Sequence, residues 1–296
     1  MLYNNSSSYF RGKYGKRLQK ICIDGGFTCP NRDGKCGTGG CIFCGERGAG
    51  EHTQDNLSIR EQVLWHLERR GENEIFVAYF QSYTNTYAPI EILKERYDAA
   101  TFDKRVIALA VGTRPDCIDE DVAGLLASYK DRVDVWVELG LQTSRNDTGI
   151  LINRGYDSED YLRAVEILKR YQIEVITHMI VGLPGEDMSD AIATARFIGA
   201  SGVNGIKIHS IYVSKGTLLA EMYNKKLYTP PTLEEYVRTV GEIIAILPKD
   251  MIIHRMTGDC PPELLIAPKW NGDKNAMIDG INKYLADNKL YQGAKA

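Results

Sequence analysis

Four cysteines stand close together near the start of this chain: Cys29, Cys36, Cys41 and Cys44. Cysteine thiolates bind zinc ions or iron–sulfur clusters. Structural zinc sites usually combine two closely spaced ligand pairs, but only Cys41 and Cys44 form such a pair, and no histidine lies between Cys29 and Cys41. Three thiolates can instead hold a [4Fe–4S] cluster and leave one iron open for a ligand. The spacing favours the cluster but leaves zinc open.

The composition predicts a soluble globular protein with an ample core. The chain has 296 residues, of which 44% are hydrophobic and 25% charged, as expected for one large domain or a domain with an extension. Its start has no apolar stretch typical of a signal peptide, and no apolar run approaches the ~18 residues that span a bilayer. Five of the seven cysteines precede residue 45. This clustering favours a metal site or catalysis over disulfides, in a reduced, cytoplasmic compartment.

The N-terminal segment is basic and aromatic. Residues 1–23 contain five cations and, before Asp24, no acidic side chain. Cations neutralise phosphates and rings stack on bases, so residues 1–19 are predicted to form an arm that binds nucleic acid. The alternative is a solvated arm packed along the domain. The side chains concerned are Arg11, Lys13, Lys16, Arg17 and Lys20, with Tyr9, Phe10 and Tyr14.

Short apolar runs alternate with helical patterns along most of the chain. The runs are nearly continuous rather than alternating, which is typical of parallel strands buried on both faces. Six strand–helix units with right-handed crossovers predict an α/β fold, a partial (β/α)6 TIM-like barrel over residues 20–225. Residues 226–296 are predicted to form a C-terminal α/β extension packed on the barrel. The predicted strands are 20–24, 75–80, 106–111, 133–139, 175–183 and 205–213, with a further strand-like run at 251–256.

The predicted helices follow these strands. Ser58 and Glu61 have the spacing of a capping box, which marks the start of the first of them. Polar or glycine-rich segments follow every strand, and ligands of such sheets bind at the carboxyl ends of the strands. The helices are expected at 58–70, 89–102, 119–130, 158–171, 188–200, 232–247 and 274–287.

Several strings resemble the radical S-adenosylmethionine superfamily, and within it the bacterial YhcC/YtqA-type group. They are GGFTCPNRDG, GGCIFC, YFQSYTNT, VGTRPDC, ELGLQT, INRGY, HMIVGLPGE, GIKIH and APKW, and they cover nearly the whole chain. The group resembles in turn the radical domain of the Elongator catalytic subunit. The resemblance implies a [4Fe–4S] cluster and S-adenosylmethionine, which is cleaved to a 5′-deoxyadenosyl radical. It also implies an electron donor of the flavodoxin or ferredoxin type.

The resemblance assigns the cluster to Cys29, Cys41 and Cys44. The superfamily usually has three residues in the first gap, whereas eleven separate Cys29 from Cys41, so Cys36 stays a minority candidate. Cys22 is expected to be a small buried hydrophobic residue.

The resemblance also implies the S-adenosylmethionine site. Phe43 would cover the cluster or pack beside adenine, and Arg154 would pair with the methionine carboxylate. For Glu138, a structural ion pair is an equal alternative to a cofactor contact. The remaining cofactor-binding candidates are Gln81, Ser82, Tyr83, Gln142, Ile180 and Gly182.

The substrate is expected to be anionic, because basic residues follow the sixth strand and recur in the extension. The Elongator resemblance implies the wobble uridine of transfer RNA. An acetyltransferase domain is not expected in this chain, so the hypothesis is removal of the carboxymethyl group from carboxymethylaminomethyluridine. Two alternatives are a radical enzyme acting on a small anionic metabolite and a non-enzymatic zinc and RNA-binding protein. Cys117 and Cys260 are expected to be buried bystanders. The substrate candidates are Lys207, His209, Lys215, His254 and Arg255.

Overall fold

A computed structural model describes residues 2–48, 50–51, 53–54 and 56–296 of the chain. Met1 of the predicted arm lies outside these residues. The predicted apolar runs all form strands, whose boundaries differ from the prediction by a few residues. The strands of the described residues are β1 (Leu18–Ile23), β2 (Ile75–Phe80), β3 (Val106–Thr113), β4 (Asp134–Gln142), β5 (Glu174–Val181), β6 (Gly205–Ser210), β7 (Val213–Ser214), β8 (Ile252–Arg255) and β9 (Leu265–Ala267).

The helices begin where the sequence supplies N-terminal caps. Asp157, Asp187 and Thr232 each form a capping box, as does the predicted pair Ser58 and Glu61. Each box satisfies amide groups that the first helical turn leaves without a partner. Helices α1, α5 and α8 are not among those predicted from the sequence. The helices are α1 (Ser6–Tyr14), α2 (Ile59–Glu68), α3 (Ile90–Ala100), α4 (Glu120–Ala127), α5 (Asn146–Leu151), α6 (Ser158–Arg170), α7 (Met188–Ala200), α8 (Leu218–Asn224), α9 (Leu233–Ile246) and α10 (Lys274–Asp287).

The main sheet is a parallel half-barrel. Its strand order in the described residues is β1-β2-β3-β4-β5-β6-β8, and each neighbouring pair is parallel. The predicted partial barrel is therefore confirmed, with one correction. The run at 251–256 does not merely pack on the barrel: Gly205 of β6 pairs with Ile252 of β8, so the C-terminal region supplies a seventh strand. β7 and β9 form a separate antiparallel pair.

Both faces of the sheet are buried. The main core lies between the strands and the surrounding helices, with fully buried side chains such as Leu93, Tyr97 and Ile244. A smaller apolar cluster, which includes Trp136 and Ile176, lies on the other, inner face. This two-sided burial explains why the strands read as continuous apolar runs. None of the helices in the described residues combines the length and apolar character needed to cross a bilayer.

Helix α1 packs against the amino end of the half-barrel. The ring of Phe10 stacks on that of Trp136 with centroids 5.4 Å apart, and it meets the edge of His254 at 5.7 Å. The hydroxyl of Tyr14 donates a hydrogen bond to Asp134, the first residue of β4. Phe10 and Tyr14 thus pack against the barrel. Their contacts match the second prediction for this segment, an arm that packs along the domain. Arg11 and other cations of the segment remain exposed.

The two ends of the chain meet beside β8. Asn5 forms an isolated parallel bridge with Ile253, whose amide donates to the carbonyl of Asn4 over 2.8 Å. The amide of Asn4 in turn donates to the side-chain oxygen of Gln292 over 2.8 Å, and the Gln292 amide donates to Leu2 over 2.9 Å. The first residues are therefore tied to the last strand of the sheet and to the C-terminal segment.

Candidate active site

A cavity of about 530 Å³ opens at the carboxyl ends of the strands and extends down the inner face of the half-barrel. Its upper and lower parts are formed by different structural elements. The upper part, here called the rim, consists of loop and strand-end side chains: Cys29, Cys41, Phe43, Cys44, Gln81, Tyr83, Arg114, Gln142 and Ile180. The lower part, here called the floor, consists of side chains within strands: Lys20, Cys22, Tyr79, Glu138, His178, Lys207, His209 and Arg255.

The rim brings together Cys29, Cys41 and Cys44. A turn closed by the Cys44 amide on the Cys41 carbonyl, 2.9 Å, holds the last two side by side. Burial raises the pKa of the Cys41 thiol to about 12, and the neighbouring Cys44 adds to the effect. Burial also raises the pKa of Cys44, against the charge of Arg32.

Three neighbouring cysteine thiols in a buried site have the chemistry needed to bind an iron–sulfur cluster. Thiolates packed together in a buried site repel one another, and irons bound by them would offset that repulsion. Two guanidinium groups support negative charge at the same place: Arg32 acts on Cys44, and Nη1 of Arg114 lies 3.9 Å from Sγ of Cys29. Among the described residues, no three His, Cys, Asp or Glu side chains are close enough to hold a single metal ion.

The other cysteines lie elsewhere, with one exception. Cys36 is exposed, and its Sγ lies 3.8 Å from a carboxylate oxygen of Asp116. Cys36, Cys117 and Cys260 are not among the described residues that line the cavity. Cys22 does line it, and it also packs, partly buried, against the inner apolar cluster, in partial agreement with the predicted hydrophobic role.

The segment after β2 reaches the rim with two of its three predicted residues. Gln81 and Tyr83 line the cavity, whereas Ser82 is buried behind them with its hydroxyl 3.4 Å from that of Thr53. Tyr83 has a left-handed backbone (φ +59°), and its amide donates to the Gly48 carbonyl over 3.0 Å. This unusual turn directs alternate side chains toward and away from the cavity.

Three more predicted cofactor residues lie at the rim, and one does not. Phe43, Gln142 and Ile180 line the cavity. Gln142 stands at an irregularity of the β4–β5 register and has φ +68°. Gly182 is a correction: it lines a second cavity, and its carbonyl accepts a hydrogen bond from Tyr228 over 2.6 Å. Gly182 is therefore not part of the described lining of the main cavity.

The prediction for Arg154 is wrong. This side chain is 0% exposed and does not line the cavity in the part of the chain that the structure describes. Its guanidinium donates to the carbonyls of Leu141, Thr143 and Tyr156 over 2.6–2.9 Å. Because these carbonyls occupy its donors, Arg154 supports the loop after β4 rather than a ligand.

Arg114 is the guanidinium that sequence reasoning missed. It lines the rim and pairs with Asp116 over 2.7 Å. It also donates to the backbone carbonyl of Arg154 over 2.9 Å. The string VGTRPD contained the signal, because an arginine directly after a buried parallel strand stands at the ligand-binding edge.

At the floor, Glu138 forms an ion pair. Its Oε2 contacts Nζ of Lys207 and lies 2.8 Å from Nε2 of His178. Glu138 is 2% exposed and Lys207 4%. Burial would raise the pKa of Glu138, but Lys207 and His178 hold it well below its usual value. The structure thus contains the ion pair that was predicted as one of the two roles of Glu138. Both partners also line the cavity.

The predicted substrate residues separate into two groups. Lys207, His209 and Arg255 line the floor. Lys215 is exposed and His254 packs under Phe10, and neither is among the described residues lining the cavity. These two predictions are corrected: Ile211, Tyr212 and Ser214 line the cavity but the exposed Lys215 does not, and Phe10 of α1 packs against His254.

Lys20 and Tyr79 belong to the floor, and the sequence analysis did not assign them to it. The Tyr79 ring has Nζ of Lys20 at 4.4 Å and Nζ of Lys207 at 4.6 Å from its centroid. A lysine directly before the apolar residues Ile21–Ile23 of strand β1 was the available signal, since a charged residue there must face a cavity or a partner.

Comparison with known proteins identifies the family. The family model described as "Radical SAM superfamily" matches residues 32–198, more than half of the chain. The chain belongs to the radical S-adenosylmethionine superfamily. The model "Radical_SAM C-terminal domain" matches residues 203–287. Members of this superfamily use a [4Fe–4S] cluster and S-adenosylmethionine, which are therefore the cofactors of this radical S-adenosylmethionine enzyme.

Among curated relatives, the uncharacterized protein YtqA of Bacillus subtilis is 38% identical over 295 residues, covering 98% of this chain and 92% of that protein. A tRNA uridine(34) acetyltransferase of Methanocaldococcus jannaschii is 30% identical over 170 residues, covering 56% of this chain and 31% of that protein. The resemblance to the YtqA-type group is thus confirmed over almost the full length.

A solved structure has the same fold. The Elp3 of Methanocaldococcus infernus, with N-terminal residues 1–46 deleted, superposes with a TM-score of 0.71 at 21% identity, covering 93% of this chain and 64% of that one. This chain therefore spans less than two thirds of that structure, and the similarity concerns the fold alone.

Proposed function

We propose that this radical S-adenosylmethionine enzyme modifies the C5 side chain of the transfer-RNA wobble uridine, converting carboxymethylaminomethyluridine to aminomethyluridine. The observation that carries the proposal is a single cavity with clustered thiols at its rim and a basic floor beneath them. The similarity to a protein named tRNA uridine(34) acetyltransferase supports uridine 34 as the target. The basic floor supports a substrate with a negative charge on that side chain.

The rim residues have distinct tasks in this proposal. Cys29, Cys41 and Cys44 would hold the cluster, and Gln81, Tyr83, Gln142 and Ile180 would surround S-adenosylmethionine, with Phe43 between the two cysteines of the pair. The bound cofactors supply a 5′-deoxyadenosyl radical by one-electron reduction. We propose a flavodoxin- or ferredoxin-type protein as the electron donor. The buried surroundings exclude water from these reactive groups.

The proposed conversion balances in atoms and electrons. One hydrogen atom leaves the methylene group beside the carboxylate and is carried away by the 5′-deoxyadenosyl group. A one-electron acceptor of the iron–sulfur class takes one further electron, and the amine nitrogen loses a proton, so that an imine forms. Water then cleaves the imine carbon–nitrogen bond, giving glyoxylate and the free aminomethyl group on the uridine.

The test uses anaerobically reconstituted protein, dithionite, S-adenosylmethionine and transfer RNA that carries carboxymethylaminomethyluridine. We expect aminomethyluridine in the digested RNA, with equal amounts of glyoxylate and 5′-deoxyadenosine. The Cys44→Ala variant, which should lack the cluster, is the control for cofactor-independent loss. Release of 5′-deoxyadenosine with unchanged RNA would overturn the proposal. Nucleoside profiling of transfer RNA from a deletion strain should show carboxymethylaminomethyluridine accumulating in place of aminomethyluridine.

A second candidate substrate is a small anionic metabolite. The observation that favours it is the same basic floor, which does not by itself require RNA. A gel shift with unmodified and modified transfer RNA distinguishes the two candidates. RNA binding that weakens as salt rises supports the transfer-RNA substrate. Failure to bind any transfer RNA at low salt supports the metabolite.

A further inference from the structure

The floor of the cavity carries positive charge that its own carboxylates do not balance. Three cations lie there: Lys20, Lys207 and Arg255. Glu138 is engaged by Lys207 and His178 and has no contact with the other two cations in the described residues. Its single negative charge pairs directly with Lys207 and acts on Lys20 only at longer range.

Lys20 and Arg255 stand on the two edge strands of the half-barrel, β1 and β8. Lys20 forms no salt bridge with any residue that the structure describes, and its Nζ rests on the Tyr79 ring. Arg255 lies 3.4 Å from Asp259, which Lys274 approaches more closely, to 2.6 Å. One cation without a carboxylate partner and one loosely paired cation thus face the same space.

The three cations of the floor repel one another, as their positions around the same space would lead us to expect. The charges of Lys20 and Arg255 both lower the pKa of Lys207, after burial as the main cause. His209 also lines the floor, and its Nε2 has no hydrogen-bond partner among the described residues. An anion placed between Lys20 and Arg255 would relieve the repulsion among the three cations.

The depth of the floor restricts which anion can reach it. Lys20 precedes the end of β1 by three residues, so its backbone lies roughly 10 Å below the rim at about 3.3 Å per residue. A phosphate of the RNA backbone stays at the mouth when a base enters a cavity. A carboxylate at the end of a C5 side chain enters ahead of the base.

We infer that the floor is a carboxylate-binding subsite, in which Lys20 and Arg255 hold the free carboxylate of the substrate side chain. This inference rests on the proposed function and specifies how its substrate is selected. The methylene group to be attacked then lies between the anchored carboxylate and the rim. After reaction the side chain ends in an ammonium group, which the same cations repel, so the product leaves.

The test compares anticodon stem-loop RNAs that differ only at the side-chain terminus: carboxymethylaminomethyluridine, its neutral carboxamide analogue and aminomethyluridine. Binding to the reconstituted protein is measured by fluorescence anisotropy, and turnover is measured separately. We expect the wild type to bind the carboxylate RNA about tenfold more tightly than the carboxamide, and the amine RNA weakest.

Two variants remove the floor cations without breaking the buried Lys207–Glu138 pair. Lys20→Met and Arg255→Gln should each reduce the carboxylate preference to about twofold or less, while Lys20→Arg restores most of it. Lys94→Met, an exposed site on α3, is the matched control and should keep the tenfold preference. Affinity for the carboxamide RNA should be the same in all of them.

The outcomes separate the inference from the proposed function. Conversion of the carboxylate RNA with equal affinity for carboxamide and carboxylate overturns the subsite and leaves the function standing. A carboxylate preference that Lys20→Met abolishes, without any conversion, supports the subsite and overturns the function. A preference that survives both Lys20→Met and Arg255→Gln places the anion elsewhere and overturns the inference.

Discussion

The rim and the floor of the cavity are built in opposite ways. The rim takes its side chains from loops and strand ends, where Tyr83 and Gln142 have left-handed backbone conformations. The floor takes its side chains from regular strands, on which residues such as Glu138 and Lys207 point inward from otherwise apolar runs. Loops can place thiols and backbone groups at unusual angles, whereas strands hold charged groups rigidly against one another.

The two parts of the cavity are expected to have different tasks. The rim would carry the cofactor chemistry common to the superfamily, and the floor would select the substrate of this enzyme. The rim holds the three cysteines that are proposed to bind the cluster, a cofactor that members of the superfamily share. The floor combines an ion pair with additional cations in an arrangement that a short motif does not encode. We therefore expect changes at the rim to remove chemistry altogether, and changes at the floor to alter stability and substrate choice.

The largest effect is expected at the rim. Replacing Cys29, Cys41 or Cys44 by alanine should abolish the cluster, because three thiolates are needed to hold it with one iron open. The wild type should bind about four irons and four sulfides per chain after anaerobic reconstitution. Iron and sulfide analysis with visible absorbance is the measurement. Cys36→Ala is the control and should keep the cluster; the opposite pattern for Cys29 and Cys36 would reverse their assignment.

The next effect concerns the buried pair of the floor. Glu138→Gln leaves the Lys207 ammonium without its counter-charge, and breaking a buried ion pair costs about 3–5 kcal/mol. The free energy of unfolding, measured in denaturant, should fall by that amount. The double variant Glu138→Leu with Lys207→Met should be destabilised much less, since no unpaired charge remains. If the double variant is as unstable as the single one, the floor depends on packing rather than on charge.

Acid should weaken the contact between β8 and α1. Burial lowers the pKa of His254 to about 3, from about 6.5 in an unfolded chain. The folded state therefore binds fewer protons than the unfolded state between these values. His254 thus contributes stability above pH 6.5 that is lost as the pH falls toward 3.

The measurement is the free energy of unfolding from pH 7 to pH 4. His254→Gln should make its decrease less steep, whereas His66→Gln on α2, where the shift is smaller in a half-buried site, should change the slope little. Equal slopes for wild type and His254→Gln would show that the Phe10 contact is insensitive to this proton.

The smallest effect is expected on the surface of the N-terminal segment. Arg11, Lys16 and Arg17 are exposed, whereas Lys13 pairs with Asp134 at 3.0 Å and is left unchanged. Replacing the three by glutamine should lower the log–log salt slope of transfer-RNA binding by about 0.7–0.9 for each phosphate that is no longer neutralised. A matched triple change of Lys94, Lys225 and Lys283 is the control. An unchanged slope in the first variant would remove the segment from RNA binding.

The sequence predicts the barrel well because its strands are buried on both faces and its helices carry explicit caps. It does not predict α1, whose residues SSSYFRGKY are mostly polar and acquire their role only by packing on Trp136. Nor does it show that β8 joins the sheet, because a four-residue strand has no periodicity of its own.

The site was predictable to different degrees in its two parts. The three cysteines and most rim residues could be predicted because they lie in short, contiguous sequence motifs. The opposite roles of Arg114 and Arg154 do not follow from such motifs. Arg114 directly follows β3, whereas Arg154 follows α5, and only the folded loop after β4 shows that its carbonyls occupy the Arg154 guanidinium. Lys20, Tyr79 and Lys207 come together across strands distant in sequence, and closure of the half-barrel alone brings them into contact.

The junction between the two ends of the chain has a consequence for biosynthesis. Asn4 and Asn5 are synthesised long before their partners Ile253 and Gln292, which lie more than two hundred residues further along the chain. Although domains often begin folding during translation, the amino end of this half-barrel cannot close until the C-terminal segment has emerged. A nascent chain stalled before residue 250 should therefore lack strand β8 and the backbone pairing that fixes Asn4 and Asn5 to it.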